Sequence, residues 1–170
     1  MAHDHAQNQA KPGKRTMVTR VATAVSIAAI AGTAMLGTAE SASASTSRAE
    51  LRSAIVKATN HARAAKGCKP LKSSKRLTKA AQGHASDMAA KNYFSHTSIN
   101  GRQWWQRIER AGWSEPGGEN IAYGFSTTKG VVKAWMNSPG HRRNILDCSF
   151  KYIGVGFNGD GDYWVQDFGY

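Results

Sequence analysis

The sequence predicts an α+β fold with helices on both sides of a small, mainly antiparallel sheet. Three observations lead to this prediction. Apolar residues recur every three or four positions in segments between residues 47 and 136, which is the spacing of amphipathic helices. After residue 152 the apolar residues alternate with a period of two, which is the spacing of strands. The chain has no internal repeats, so one domain around one sheet is favoured.

The first 44 residues have the layout of a secretory signal peptide. Residues 11–20 are basic, residues 21–37 are apolar, and residues 42–44 (Ala-Ser-Ala) fit the small-x-small cleavage rule, which predicts cleavage after Ala44. A retained membrane anchor is the alternative, although the apolar run is shorter than the roughly 20 residues that span a bilayer. Met17 would open a leader of ordinary length and is therefore an alternative start.

Residues 45–170 are expected to form a single exported domain, long enough to bury one core. The chain has two cysteines, Cys68 and Cys148, and both lie in this region. An even number of cysteines in an exported chain suggests a disulfide. A metal-binding pair and two free thiols are the alternatives, but there is no CxxC spacing. We therefore predict a secreted protein with a Cys68–Cys148 bridge.

Two helices are predicted in the first half of the domain. The first begins at a capping box, in which Glu50 follows Ser47 by three positions, and ends at Gly67. The second begins near Ser74. Its inward stripe is formed by Leu77, Ala81, His84 and Met88. We therefore interpret His84 as a histidine of the core or the core edge rather than a ligand.

Two more helices are predicted before the strands begin. The third runs from Asn100 to Gly112, and its inward face carries Trp105, Ile108 and Ala111. The fourth runs from about Thr128 to Met136, with Val131, Val132 and Trp135 pointing inward.

The strands are predicted mainly at the C-terminus. Residues 152–158 and 162–170 alternate by two and flank a glycine-containing turn, which is typical of a β-hairpin. Residues 117–124 are a candidate for a further short strand. Gly154 and Gly156 share one strand face, which leaves room for another element or a ligand to approach closely.

The charge indicates which partners to expect. The chain has 23 Lys and Arg against 11 Asp and Glu, a net charge of +12. Ten basic residues and one acidic residue lie between Arg48 and Lys79. An exported protein rarely meets nucleic acid, so an anionic cell-wall polymer or an acidic lipid surface is the expected partner. A solvated basic face without a dedicated partner is the alternative, and in either case the protein is expected to be a monomer.

Three residues are candidates for a common site. His96 and His141 stand beside turn residues, in NYFSH (92–96) and SPGH (138–141), and Glu119 lies between them in the sequence. If their loops meet, two imidazoles and one carboxylate suit Zn²⁺ or another divalent cation, the carboxylate acting as a ligand or holding an imidazole in one tautomer. Histidines that merely hydrogen-bond their loops in place are the alternative.

A set of motifs in order resembles the bacterial, SCP-like branch of the CAP superfamily of cysteine-rich secretory, antigen-five and plant pathogenesis-related proteins. These motifs are NYFSH, AGW, GENIAYG, WMNSPGHRRNIL and IGVGF…YWVQDFG. The resemblance covers roughly residues 50–170. It implies an α-β-α sandwich with a surface cleft, and in eukaryotic members two His and two Glu line that cleft and in some cases bind zinc.

The resemblance assigns the cleft positions one by one. His96 corresponds to the first cleft histidine, Glu119 to the glutamate of the GEN motif and His141 to the second histidine. The fourth position differs from the family pattern, because Ser138 stands where eukaryotic members typically have glutamate. A metal site would therefore be weak.

Three functions remain open at this point. The first is an extracellular binding module for a lipid, a cell-wall polymer or a protein. The second is a metal-assisted hydrolase, with Glu119 as base and a zinc-bound water as nucleophile. The third is a serine hydrolase using Ser138 or Ser95, although neither lies in a G-x-S-x-G nucleophile elbow. We interpret Asn120, Arg142 and Arg143 as structural or solvated residues.

Overall fold

The computed structural model describes residues 38–170, with side chains from residue 48 onward. This part of the chain contains five helices and four strands. The helices are α1 (Thr38–Ala65), α2 (Lys75–Lys91), α3 (Trp104–Arg110), α4 (Thr128–Asn137) and α5 (Pro139–Leu146). The strands are β1 (Lys72–Ser73), β2 (Pro116–Ala122), β3 (Tyr152–Asn158) and β4 (Tyr163–Gly169).

The four strands form one sheet in the order β1-β3-β4-β2. β3 and β4 form the predicted antiparallel hairpin, with Ile153 opposite Phe168, and β2 pairs antiparallel with the other side of β4. The two-residue strand β1 pairs parallel with β3 and was not predicted. A small, mainly antiparallel sheet is therefore confirmed.

Helices cover both faces of this sheet. On one face, Gly154 and Gly156 let the backbone of α2 approach so closely that an added Cβ would lie 2.1 Å and 2.3 Å from helix backbone atoms. The other face is covered by α1, α4 and α5, and its core includes Ile55, Trp135 and Trp164. The α-β-α sandwich is confirmed, and a helix rather than a ligand takes the room above the glycines.

Two predicted helices match the structure closely. α2 begins where predicted, and the Ser74 side chain caps it by accepting a hydrogen bond from the Leu77 backbone N–H. α4 spans the predicted residues and buries Val131 and Trp135. The predicted inward stripe of α2 is buried throughout: Leu77, Ala81, His84 and Met88.

The third predicted helix is shorter than expected, because residues 98–102 form a turn in which Gly101 has φ +80°. α3 therefore begins at Trp104 and buries Arg107 and Ile108. The prediction that Trp105 points inward was wrong, since it lies on the outer face of α3 and is 40 % exposed.

The start of the first helix was also predicted wrongly. α1 already begins at Thr38, so Ser47 lies within the helix and is not its N-cap. No Gly or Pro lies between Thr38 and Ala65 to interrupt the helix. The predicted apolar leader segment, residues 21–37, lies outside the described residues.

The predicted disulfide is confirmed. Cys68 and Cys148 are bonded, with their Cα atoms 4.9 Å apart. The bond joins the loop after α1 to the loop after α5, a helix that the sequence pattern did not predict. Among the described residues, no helix is both long and apolar enough to cross a membrane.

Candidate functional site

Glu119 is the centre of the candidate site. It lies in β2 on the sheet face covered by α2 and is 5 % exposed. Its Oε1 lies 2.8 Å from His96 Nδ1, and its Oε2 accepts a hydrogen bond from Arg107 Nη2 at 2.5 Å. Both carboxylate oxygens are therefore engaged by protein groups. The structure brings His96 and Glu119 together, as their assignment to one cleft requires.

Arg107 fixes the loop that carries His96. Besides Glu119, its guanidinium donates through Nη1 to the His96 carbonyl at 2.8 Å and to the Arg102 carbonyl and Ser98 Oγ, both at 3.2 Å. One buried cation thus binds the carboxylate and the backbone beside the imidazole. This arrangement holds the His96 ring at the mouth of the site, where its side chain is 46 % exposed.

His141 reaches the same region from α5. The residue next to Glu119, Asn120, is fully buried and donates to the His141 carbonyl at 3.2 Å. Asn144, one turn along α5, donates to Asn120 Oδ1 at 2.9 Å and to the Glu119 carbonyl at 3.2 Å. These amides tie α5 to β2, which agrees with the interpretation of Asn120 as structural.

His96 and His141 differ in environment. Burial, and then the nearby His96, lower the pKa of His141 from 6.5 to about 4. Its imidazole is therefore neutral at physiological pH. A neutral imidazole offers one N–H donor and one nitrogen acceptor to a ligand.

Glu119 stays ionised despite its burial. Burial opposes ionisation, but the hydrogen bond from His96 and the charge of Arg107 outweigh it and hold the pKa of Glu119 below its usual range. A carboxylate stabilised in this way is a poor proton acceptor. Its role in the structure is to orient His96 and to neutralise Arg107.

Asp167 is a second buried carboxyl in this cluster. It lies directly opposite Glu119 on β4 and is 1 % exposed, and no N–H group of the described residues donates to either of its oxygens. Burial first, and then the charge of Glu119, raise the pKa of Asp167 well above its usual range. The folded structure therefore favours the protonated form of Asp167 beside the carboxylate of Glu119.

His84 borders the cluster from α2 and is buried, as the sequence predicted. Its Nε2 donates to the Ser95 carbonyl at 2.8 Å, so this ring anchors the loop just before His96. Burial is the main cause that lowers the pKa of His84, and the Glu119 charge opposes it. His84 supports the site from behind and does not reach its mouth.

The donor set does not fit a zinc centre with three protein ligands. Glu119 uses both oxygens for His96 and Arg107, which leaves two imidazoles. Ser138, at the missing fourth position, lies between α4 and α5, where its backbone N–H bonds the last turn of α4. Within residues 48–170, no group of three or more His, Cys, Asp or Glu is arranged to hold a metal ion. The metal site stays a prediction.

The serines and arginines that the sequence suggested do not take part in the contacts around Glu119. Ser95 Oγ accepts a hydrogen bond from the Thr97 backbone N–H and so belongs to a turn. Among the described residues, the His96 ring bonds the Glu119 carboxylate and no serine hydroxyl. Arg142 and Arg143 are exposed on α5, in line with their interpretation as solvated residues.

Arg107 and Asp167 are site residues that were not predicted from the sequence. Arg107 lies on the inward face of a predicted helix, beside Ile108, where a charged residue needs a buried partner. Asp167 lies two positions after Val165 on a predicted strand, so both point to the sheet face that carries Gly154. A charged residue at an inward position was the available signal in both cases.

The pKa of His141 predicts a loss of stability in mild acid. The folded state disfavours the protonated ring, so between pH 6.5 and about 4 the unfolded chain binds more protons. This contribution to the free energy of unfolding is complete above pH 6.5 and is lost as the pH falls towards 4. We expect about 2 kcal/mol from this residue, allowing for its partial exposure.

Urea unfolding of the wild type and of His141→Gln at pH 7.5, 6 and 4.5 measures this effect. The wild type should lose stability relative to the variant as the pH falls, because glutamine does not titrate. Asp167 has the opposite effect on the pH dependence of stability, since its raised pKa favours the protonated folded form. This effect is the same in both proteins and cancels in the comparison. Parallel pH profiles for the two proteins would contradict the prediction.

Comparison with known proteins gives relatives of similar sequence. The chain is 44 % identical over 115 residues to the uncharacterized protein YkwD of Bacillus subtilis (strain 168), covering 67 % of this chain and 45 % of the relative. It is 35 % identical over 115 residues to the uncharacterized membrane protein YlbC of the same organism, covering 67 % and 33 %. The chain thus spans less than half the length of each of these curated relatives.

Solved structures share the fold. An extracellular protein containing a SCP domain from Bacillus anthracis str. Ames superposes with a TM-score of 0.67 at 31 % identity, over 72 % of this chain and 41 % of that one. An outer surface protein from Borrelia burgdorferi superposes with a TM-score of 0.62 at 25 % identity, over 68 % and 88 %.

The part of the chain that matches a family model contains both the sandwich and the candidate site. The model of the CAP family, the cysteine-rich secretory protein family, matches residues 56–168, which include the last part of α1, the helices α2 to α5 and the sheet around Glu119. With the bacterial relatives and the shared fold, this match shows that the chain belongs to the CAP family, in its bacterial, SCP-domain branch.

Proposed function

We propose that this protein is an extracellular binding domain of the bacterial cell envelope, whose ligand docks at the cleft formed by His96 and His141 and is not cleaved there. Two structural neighbours support the location, since one is an extracellular protein and the other an outer surface protein. The predicted leader supports export of this chain as well.

The proposal rests on the two hydrogen bonds that the buried Glu119 side chain forms within the protein. A general base must reach a water or substrate proton and have a suitable pKa. Glu119 is buried, directs both oxygens to His96 and Arg107 rather than to the cleft, and has a lowered pKa. Its two hydrogen bonds instead hold the side chains of His96 and Arg107 in place. The fixed carboxylate of Glu119 holds the exposed imidazole of His96 in one orientation, in which the ring can recognise a ligand.

The mouth of the cleft favours a polar ligand. With Nδ1 bonded to Glu119, His96 leaves its Nε2 for a ligand, and the neutral His141 ring offers both a donor and an acceptor. Hydrogen-bonding groups of this kind match hydroxyl, amide and carboxylate groups. Wall glycan with its peptide carries all three, so we take this polymer rather than a lipid or a protein as the ligand.

Cosedimentation with bacterial cell walls tests the proposal, using walls from which the anionic polymers have been extracted. We expect the wild type to bind saturably, and His96→Ala and His141→Ala each to bind about tenfold more weakly, as loss of one or two hydrogen bonds would give. His61→Ala is the matched control, because His61 is exposed and lies on α1, which carries none of the cleft residues His96, Glu119 and His141. Equal binding by all four proteins would overturn the proposal.

Hydrolysis is a second candidate function, and one observation favours it. The contact between His96 and Glu119 has the form of a base and its orienting carboxylate, which leaves His96 Nε2 open to a water or a substrate hydroxyl. Release of soluble fragments from the same walls, lost in His96→Ala, would establish catalysis. Loss of that release on chelation would indicate the metal-assisted form. Binding without release supports the first proposal.

A further inference from the structure

A surface cavity lies where the end of α4, one side of α5 and the loop after α1 meet. It has a volume of about 630 Å³, within the range of small-molecule sites. It contains none of the residues of the His96–Glu119 cluster. Its lining residues are Lys66, Met136, Asn137, Pro139, Arg142, Arg143, Leu146 and Asp147.

The lining is predominantly positive. Lys66, Arg142 and Arg143 contribute three cations, and none of them forms an ion pair with another described residue. Asp147 is the one acid in the lining, and its Oδ1 accepts hydrogen bonds from the backbone N–H and the hydroxyl of Ser149. Three cations against one acid leave the lining with a net positive charge, and none of the three is bound to that acid in an ion pair.

The cavity is open to water. None of its lining residues is buried, and the apolar ones, Met136, Pro139 and Leu146, are half-buried or exposed. An acyl chain would need an enclosed apolar channel to leave water. The lining suits a hydrated anion whose aliphatic part rests on the apolar side chains and whose charge meets the cations.

The positive charge continues away from the cavity. Lys69 follows Lys66 in the loop that the disulfide holds against residue 148. Lys72 lies on the edge strand β1, and its backbone N–H bonds the carbonyl of Lys151. All of these lysine side chains are exposed. A ligand with one anionic group would use the cavity only, whereas a chain of anionic groups would also reach these lysines.

We propose that this cavity binds phosphate groups of a linear phosphodiester polymer of the cell envelope, with Arg142, Arg143 and Lys66 as the phosphate-binding residues. Guanidinium groups bind phosphate oxygens through paired, charge-assisted hydrogen bonds. The site is distinct from the His96–His141 cleft. It shares with the proposed function only the extracellular setting, so either site can fail without the other.

Calorimetric titration of the full chain with poly(glycerol phosphate) tests the site. We expect Arg142→Ala/Arg143→Ala to weaken binding at least tenfold and to lower the slope of log Kd against log salt by about one to two counterions. Lys75→Ala/Lys79→Ala is the matched control. It removes the same charge from exposed positions of α2, on the opposite side of the sheet, and should weaken binding less than about threefold, since only long-range attraction changes.

Further titrations distinguish the possible sources of the anion. Inorganic phosphate alone should bind far more weakly than the polymer, and vesicles of phosphatidylglycerol should not bind in a way that depends on Arg142 and Arg143. Equal weakening by both double variants would show diffuse charge attraction and overturn the site. Arginine-dependent binding of vesicles but not of polymer would overturn the choice of partner. Unchanged polymer binding by His96→Ala separates this site from the cleft.

Discussion

Replacing Arg63 by alanine is expected to lower the free energy of unfolding by about 3–5 kcal/mol. Arg63 is fully buried, and its guanidinium donates to four backbone carbonyls: Lys69 at 3.1 Å, Ile145 at 2.9 Å, Asp147 at 2.7 Å and Phe150 at 3.1 Å. Two of these carbonyls belong to the end of α5, where the helix dipole favours a cation. Alanine would leave all four acceptors without their donor.

Chemical denaturation of the wild type, Arg63→Ala and Lys57→Ala measures the effect. Lys57 is exposed on the same helix, so its replacement should change stability by less than about 0.5 kcal/mol. The Cys68–Cys148 bond stays in place in every variant and holds the same loops together. A loss below about 1 kcal/mol for Arg63→Ala would show that the four hydrogen bonds are not what keeps the end of α5 in position.

Gly154→Ala is the second change with a large expected effect. The new Cβ would lie 2.1 Å from the Leu77 carbonyl carbon and 2.2 Å from the Thr78 nitrogen, both backbone atoms of α2. The helix would have to move away from the sheet, which loosens the packing along its whole buried face. We expect a cost above about 3 kcal/mol, at the upper end of the range for overpacking.

Gly83→Ala is the control for Gly154→Ala. Gly83 lies within α2, and an added Cβ there would meet no atom within 4 Å. This change should stabilise the helix by about 0.5–1 kcal/mol, because alanine is the better helix former. Thermal unfolding of both variants compares the same chemical change in two places. Similar unfolding temperatures would contradict the close approach of α2 to β3.

Most of the fold could be predicted because its signals are local. The period of two in residues 152–158, with glycines on one face, predicted both the hairpin strand and a close neighbour. Ser74 and the stripe behind it predicted α2. The helix α5 was not predicted, because Ser-Pro-Gly in residues 138–140 is typical of a turn. Proline at the first position of a helix is nevertheless compatible with one.

The site was only partly predictable because it depends on contacts between distant residues. The approach of His96 to Glu119 was expected. No local pattern indicates that Arg107 binds the second oxygen of Glu119, or that Asp167 faces it from the neighbouring strand. These two residues decide whether the carboxylate is a free base or a fixed anchor. Their roles follow from strand register and helix rotation.

The tautomer of His96 shows whether Glu119 orients the ring. If Glu119 accepts a hydrogen bond from Nδ1, the neutral His96 ring carries its proton on Nδ1 and leaves Nε2 as a bare acceptor in the cleft. Heteronuclear NMR correlation of the ring nitrogens with the ring carbon-bound protons distinguishes the two tautomers. His61, exposed on α1, is the internal control and should show mainly the Nε2–H form of free imidazole.

We expect an Nδ1–H tautomer for His96, and a change in the His96 and His141 signals, but not the His61 signals, when soluble wall fragments are added. An Nε2–H tautomer for His96 would show that Glu119 does not orient the ring. Wall fragments that leave both cleft histidines unchanged would show that the cleft is not the binding site. Either result would contradict a ligand cleft in which Glu119 orients His96.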